Sequence, residues 1–468
     1  MISSRPLVSV CIPTRDRAGH LREALESVLA EDVGEMEVLV LDDASTDHTA
    51  AVAREMDDGR VIYHRHATPI GIAANRNACL EAARGVYLAW LDDDDAYLPG
   101  GLARQIETLE REPEVALAHA SVEVVDAEGR PQPAWRVPFE SDTIETGAEA
   151  FEELLLRNYV HAPTAVTRAS AHRTAGPYAT SLGDRAEDWD AWLRLSLVGD
   201  VAYAARPAAR YRRHGGSATA TRGASLEWLE SETRVVRRAL QRGRGRVPDF
   251  RTTRRLAYAA LASRHLEAAS DALVRGAGST AARAARRAAR LAPSMACELA
   301  IAADHASRGD EHGFHEATHP MLRRLARVLA NTRYGATVQE RVDSTEAWST
   351  DRARVARRIR RVVPHGARIA AIDKWDPSLL HDSRRDGWHF PDLALAPDGY
   401  PADDAGAIEH LEAQRSRGAD FLVIPGVAFW WLDHYAGFAR HLDTRFELVW
   451  SDDACVIYRL ARADEQVA

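Results

Sequence analysis

Four consecutive aspartates, Asp92 to Asp95, close an apolar run in the stretch VYLAWLDDDDAYLPG at residues 86–100. Like charges this close repel and raise one another's pKa, so the cluster is costly unless it is well solvated or neutralised. It is either an exposed acidic turn or a site for a cation, and Mg²⁺ and Mn²⁺ favour such oxygen ligands. A second acidic pair, Asp42 and Asp43, ends the run MEVLVL, and a third, Glu187 and Asp188, opens EDWDAWLRL. A carboxylate can take a proton from a hydroxyl where its pKa and position suit the task. Arg76 and His214 add a guanidinium and an imidazole, which taken alone read as an exposed helical arginine and a structural histidine near a strand end.

The elements around these groups predict how they are placed. LVSVCIP, MEVLVL, RVIYHR and VYLAWL are short and rich in β-formers, with helical stretches between them at 18–30, 47–56 and 71–84. Helices alternating with near-continuous apolar strands predict a parallel sheet covered on both faces. Ligands of such sheets bind beyond the carboxyl ends of the strands, so Asp42–Asp43 and Asp92–Asp95 point at one crevice. Ser45 and Asp47 are N-cap candidates, and Asp95 is a candidate cap for the helix after it. A loop is expected at 126–146. It is followed by the EDWDAWLRL helix, with Trp189, Trp192 and Leu193 on one face, and by the strand VAYAARPAARYRRH.

The whole chain has 468 residues, too many for one ordinary core. A hydrophobic content of 46%, a charged content of 28% and a net charge of −9 describe a globular chain with no bulk attraction to nucleic acid. The four cysteines are scattered without a CxxC pair, which predicts a reduced, cytoplasmic setting. Neither a signal peptide nor a membrane span is expected. From about 224 the chain is helical and rich in Ala and Arg, with one tetratricopeptide-like hairpin, and an α/β pattern returns after a basic helix at 352–361. That basic helix reads as a solvated face, with peripheral membrane contact second. The aromatics Trp388, Trp430, Trp431 and Tyr435 read mainly as the core of a small domain. The expected domains are residues 1–223, a helical connector at 224–344, and a C-terminal α/β domain at 345–468.

VSVCIPTRDR, VLVLDDASTD, GIAANRNACLEAARGVYLAWLDDDDAYLPGGL, EDWDAWLRL and YRRHGGSAT occur in this order over the first 220 residues. This set resembles the family 2 glycosyltransferases of the GT-A fold. The resemblance implies a nucleotide-diphosphate-sugar donor, a divalent metal (Mn²⁺ or Mg²⁺) and inversion at the anomeric carbon. By the same resemblance Pro13, Thr14 and Arg15 lie along the nucleotide base, although Arg15 and Asp16 replace the commoner Tyr-Asn. Asp43 accepts from base or ribose, and Arg76 meets the diphosphate. Asp94 is the direct metal ligand, Asp92 and Asp93 serve the ribose and the metal, and His214 reaches the metal or diphosphate. Asp188 is the general base, Glu187 supports it or contacts the acceptor, and Trp189 lines the acceptor side. UDP-sugars are the expected donors and dTDP-sugars the second choice. The acceptor is a small metabolite, a lipid-linked sugar or a glycan end. A sugar-nucleotide nucleotidyltransferase and a non-catalytic scaffold are the competing readings. The first needs a Gly-rich, Lys-containing loop where this chain has PTRDR.

Overall fold

The structure is a computed structural model that describes residues 5–133, 137, 139–182, 186–214, 226–292, 296–309, 311–330, 332, 338–339, 351–372, 378–391 and 400–460. One compact unit runs to Leu261, and a second contains Ala262–Ala330 and the C-terminal part of the chain.

The first unit begins β1 (Val8–Thr14), α1 (Ala18–Leu29), β2 (Met36–Asp42), α2 (Thr49–Glu55), β3 (Val61–Arg65), α3 (Ile72–Ala82) and β4 (Tyr87–Trp90). Every residue of β1, β2 and β4 is buried, as expected of strands covered on both faces. Helix α1 buries Leu21, Ala24, Leu25 and Val28, the stripe that a 3.6-residue period directs inward. The chain continues through β5 (Ala96–Tyr97), α4 (Gly101–Arg111), β6 (Val115–Val125), β7 (Thr143–Glu145), α5 (Gly147–Leu156), β8 (Val166–Arg168), α6 (Ala169–Ala175), α7 (Glu187–Leu195), β9 (Asp200–Arg212) and α8 (Leu226–Gly243).

The described strands of this unit form one nine-stranded sheet in the order β3-β2-β1-β4-β8-β6-β9-β5, with β7 on β9. Strands β1 to β4 run parallel, with Thr14 beside Asp42 and Cys11 beside Trp90. The chain winds outward from β1 to β3 on one side and resumes at β4 on the other, so β1 and β4 flank the topological switch point. Helix α4 starts against β9, where a Cβ on Gly101 would lie 2.1 Å from the Ala208 carbonyl oxygen. Its first amides donate to Glu31, from Gly100, Leu102 and Ala103 at 2.7–3.2 Å. Asp95 does not cap it. Ser45 and Asp47 tie loops together: Asp47 accepts from the amides of Thr49 and Ala18, and Ser45 from that of Asp16.

The second unit takes up the chain within α9 (Phe250–Val274), then holds α10 (Gly278–Leu291), α11 (Ala296–Ser307), α12 (Glu311–Leu329), α13 (residues 351–362), β10 (Ile369–Ala371), α14 (Ser378–Ser383), β11 (Gly387–His389), α15 (Asp404–Ser416), β12 (Phe421–Pro425), α16 (Trp430–His434), α17 (Ala436–Arg445), β13 (Glu447–Ser451) and β14 (Cys455–Arg459). Its described strands order as β11-β10-β12-β14-β13, parallel across β10–β12 and antiparallel at β14. Trp431, Tyr435 and Phe438 fill its core, while Trp430 is exposed. The basic helix α13 is not purely a solvated face: Arg354 and Arg358 pair with Asp453 and Asp452 at 2.7 and 2.8 Å. No helix among the described residues is long and apolar enough to cross a membrane.

Candidate functional site

Three loops meet at the carboxyl edge of the parallel strands. The loop after β1 carries Arg15 to Arg17, the loop after β2 carries Asp43 to Asp47, and the loop after β4 carries Asp92 to Asp95. Asp42 is structural, since it is fully buried and accepts from the Ser45 amide and the Tyr63 hydroxyl. Asp43 faces the next loop, accepting from the amides of Ile70 and Gly71 at 2.6 and 3.1 Å, with Arg15 Nη1 at 3.8 Å from its Oδ2. Pro13 and Thr14 are buried at the end of β1, whereas Arg15 is exposed beside them.

The four aspartates divide their work. Asp92 accepts from Arg76 Nη2 at 2.9 Å. Asp93 accepts from the Arg15 amide at 3.3 Å and has Arg17 Nε at 3.8 Å. Asp94 Oδ2 and His214 Nε2 lie 2.9 Å apart. Asp95 accepts from the Arg212 amide through one oxygen, while its other is buried without a hydrogen-bond partner. Burial and the adjacent Asp94 carboxylate push Asp93 and Asp95 well above the usual carboxylate range. An acidic cluster with one orphaned oxygen and an aspartate–histidine pair has the donor chemistry of a hard divalent cation. Among the described residues no three His, Cys, Asp or Glu side chains close a metal site by themselves. A cation at Asp94 and His214 therefore needs ligand or water oxygens to complete its shell.

Arg76 joins this edge to the helix that opens with Glu187. It is 3% exposed, hydrogen-bonded to Asp92, and its Nε lies 3.6 Å from Glu187 Oε1. The guanidinium carbon sits 5.7 Å from the ring centroids of both Trp90 and Tyr178. Its Nε and Nη1 have no hydrogen-bond partner. Burial works against the charge, but Asp92 and Glu187 outweigh it and raise the pKa. Burial and the neighbouring Asp188 push Glu187 up to about 7, against the pull of Arg76. Asp188 is half-buried, with Asn158 Nδ2 at 3.5 Å from Oδ2. Trp189 does not line the crevice: it is 2% exposed and its indole donates to the Leu154 carbonyl.

The fold thus brings together Thr14, Arg15, Asp43, Arg76, Asp92, Asp93, Asp94, Glu187 and His214. A sequence profile described as Glycosyl transferase family 2 matches residues 9–174. An uncharacterized protein of Mycobacterium tuberculosis is 31% identical over 231 residues, which are 47% of this chain and 70% of that protein. The chain belongs to glycosyltransferase family 2. An uncharacterized glycosyltransferase of Rickettsia typhi is 26% identical over 231 residues, 48% of this chain and 70% of its own. The crystal structure of S. aureus TarS 1-349 in complex with UDP-GlcNAc superposes with a TM-score of 0.50 at 16% identity, covering 67% of this chain and 91% of that one. That likeness concerns the fold, and it agrees with a GT-A architecture for the N-terminal part.

The family profile includes Asp43, Arg76 and Asp92–Asp95 but ends before Glu187, Asp188 and His214. Several partners of the site were not singled out from the family 2 motifs. Arg212 donates to the Asp94 carbonyl and to Glu23, and His20 lies against His214 with ring centroids 5.2 Å apart. Arg212 stands two residues before His214, at the end of β9. Tyr178 is held by paired hydrogen bonds to Asn77, 101 residues earlier, which no local pattern signals.

Proposed function

We propose that this family 2 glycosyltransferase moves a sugar from a nucleotide-diphosphate donor, a UDP-sugar foremost, to an acceptor hydroxyl with inversion. The observation that carries the reading is Arg76. A guanidinium almost wholly removed from water, set against the edge-to-face pair Trp90 and Tyr178 and with Nη1 left without a hydrogen bond, is expensive unless an anion completes it. It stands between Asp92, on the aspartate loop, and Glu187, at the head of α7. A diphosphate there takes bidentate donation from a rigid fork. The UDP-GlcNAc held by TarS, which shares the fold, supports the donor class.

Asp43 and Arg15 hold the nucleoside at the β1 and β2 ends, with Thr14 beneath. Asp188 accepts the proton of the acceptor hydroxyl as its oxygen bonds to the anomeric carbon and the carbon–oxygen bond to the diphosphate breaks. Arg76 stays on the leaving phosphates and Glu187 holds Arg76 in register. Asp94 and His214, with Asp92 nearby, would hold Mn²⁺ or Mg²⁺, which supplies charge neutralisation for the departing diphosphate. The acceptor is a small metabolite, a lipid-linked sugar or a glycan end. The protein works in the cytoplasm, and the C-terminal α/β domain serves a role separate from this chemistry.

The test is product analysis with UDP-, dTDP- and GDP-sugars, with and without Mn²⁺. Release of nucleoside diphosphate with an inverted linkage supports the reading, and release of pyrophosphate assigns nucleotidyl transfer instead. Asp94→Asn should abolish metal stimulation, and full metal-stimulated activity in that variant would overturn the metal assignment.

A further inference from the structure

Helix α8 lies beyond the span of the family profile, yet it is built into the same unit as the catalytic helix α7. Its inner face buries Val235, Val236, Ala239 and Leu240. At its last turn Gly243 packs so closely on α5 that a Cβ there would lie 2.6 Å from the Phe151 ring. Two arginines on α8 reach one carboxylate of α7. Arg242 Nη1 lies 3.0 Å and Arg238 Nε 3.5 Å from Asp190 Oδ1, and Asp190 is 1% exposed. The other oxygen, Oδ2, accepts from Arg194 Nε at 2.8 Å. Arg194 in turn donates to the carbonyls of Ala175 and Gly176, just ahead of Tyr178, which stacks on Arg76. Arg238 also donates to Ser181 Oγ at 3.3 Å. It therefore touches the chain at Ser181 as well as on α7.

We infer that Arg238 and Arg242 are positioning residues for the transferase reaction: by clamping Asp190 they fix the aim of Asp188, two residues earlier on α7. This rests on the function proposed above. Among the described residues neither arginine contacts Asp43, Arg76 or the aspartate loop, so the clamp acts on Asp188 rather than on the groups assigned to the donor. Among the described residues a buried Asp190 deprived of both α8 partners keeps Arg194 alone as its ion-pair partner, and α7 gains freedom to pivot at its N-terminal end. A small misplacement of a catalytic group can cost up to about 100-fold in rate.

The test uses the full-length protein with the double substitution Arg238→Met, Arg242→Met, the single Arg242→Lys, and the nucleotide sugar identified by the donor screen. The double variant should lose about 10- to 100-fold in kcat, with KM for the nucleotide sugar within about twofold of wild type. Hydrogen exchange should speed up at residues 187–195, and Arg242→Lys should recover most of the rate. Unchanged kcat with faster exchange makes the network structural only and overturns the inference. Equal loss in kcat and donor affinity also overturns it, because the damage then reaches the donor site. If wild type releases no nucleoside diphosphate from any donor, the function proposed above fails and takes this inference with it. A turning-over wild type matched by the variants refutes the clamp alone.

Discussion

With the diphosphate on Arg76 as proposed, Glu187 should make donor binding depend on pH. The residue is 5% exposed, and burial with the adjacent Asp188 brings its pKa to about 7. Its Oε1 is 3.6 Å from Arg76 Nε, so a phosphate oxygen accepting from Arg76 Nη1 falls on the order of 6 Å from the carboxylate. At an effective dielectric of about 20, a unit charge there interacts by about 3 kcal/mol, or about two pH units. The diphosphate repels the ionised form, so the complex holds the Glu187 proton more tightly than the free protein does. Affinity is therefore full below pH ~7 and falls as pH rises toward about 9, by up to about 100-fold. Arg76 does not titrate in this window, because its pKa is raised. Glu187→Gln is neutral throughout and should bind equally at both ends of the range. The assay is calorimetric titration of UDP-GlcNAc in EDTA, so that no cation offsets the diphosphate. The sugar conjugate is preferred to UDP, whose terminal phosphate titrates near about pH 6. Wild-type affinity that stays flat from pH 6 to 9, or an equal fall in Glu187→Gln, refutes the placement of the diphosphate on Arg76.

Asp188→Asn should leave donor affinity nearly intact while cutting turnover by at least about 100-fold; near-normal turnover would return Asp188 to a helix-dipole role. His119 and His172 are almost wholly buried, and burial pushes each down to about 3. Each is protonated below about pH 6.5 in the unfolded chain but not in the fold, so stability falls with pH through this window. At pH 5 each subtracts about 2 kcal/mol relative to pH 7, readable as a lower urea midpoint, and equal midpoints at the two pH values would contradict this. Ala44 sits at φ 60°, so Ala44→Gly should raise stability by up to about 1 kcal/mol in the same unfolding assay; a loss would show that the loop is unstrained.

The first four strands and three helices were legible because each is a continuous apolar run or a clean helical stripe with turn residues between. Strands of this kind declare the crevice as well, since a parallel sheet places every carboxyl end at one edge, and Asp43 and Asp92 to Asp95 follow from that alone. The pairings across the site were not legible. His214 meets Asp94 across 120 residues, and Arg76 meets Glu187 only because α3 and α7 pack on the same sheet. Trp189 shows where a family analogy outran a physical signal. Its spacing with Trp192 and Leu193 already marked the core face of α7, and the structure buries all three. In the C-terminal domain, β11 and α16 span three and five residues, too short for any period to show, so that sheet was only partly anticipated.

What local sequence rules miss most consistently is the backbone of the site loops. Five described residues other than glycine adopt positive φ: Asp16, Ala44, Asp57, Ala186 and Arg384. Three of them adjoin the site. Asp16 follows Arg15, Ala44 follows Asp43, and Ala186 precedes Glu187. An L-residue in this region costs roughly 1–2 kcal/mol, and two of the three are alanines, whose side chains can return nothing by hydrogen bonding. Asp16 does return something, accepting from the amide and hydroxyl of Thr46. At Ala44 and Ala186 the cost is met by the surroundings: Asp42 locks the turn through the amides of Ser45 and Ala44, and the Asp190 network anchors α7 just beyond Ala186. Strain held at loop ends that carry ligand groups is a general mark of functional sites. Here two buried acids, Asp42 and Asp190, sit beside residues to which the proposed function gives a role, and each holds a costly backbone in one geometry.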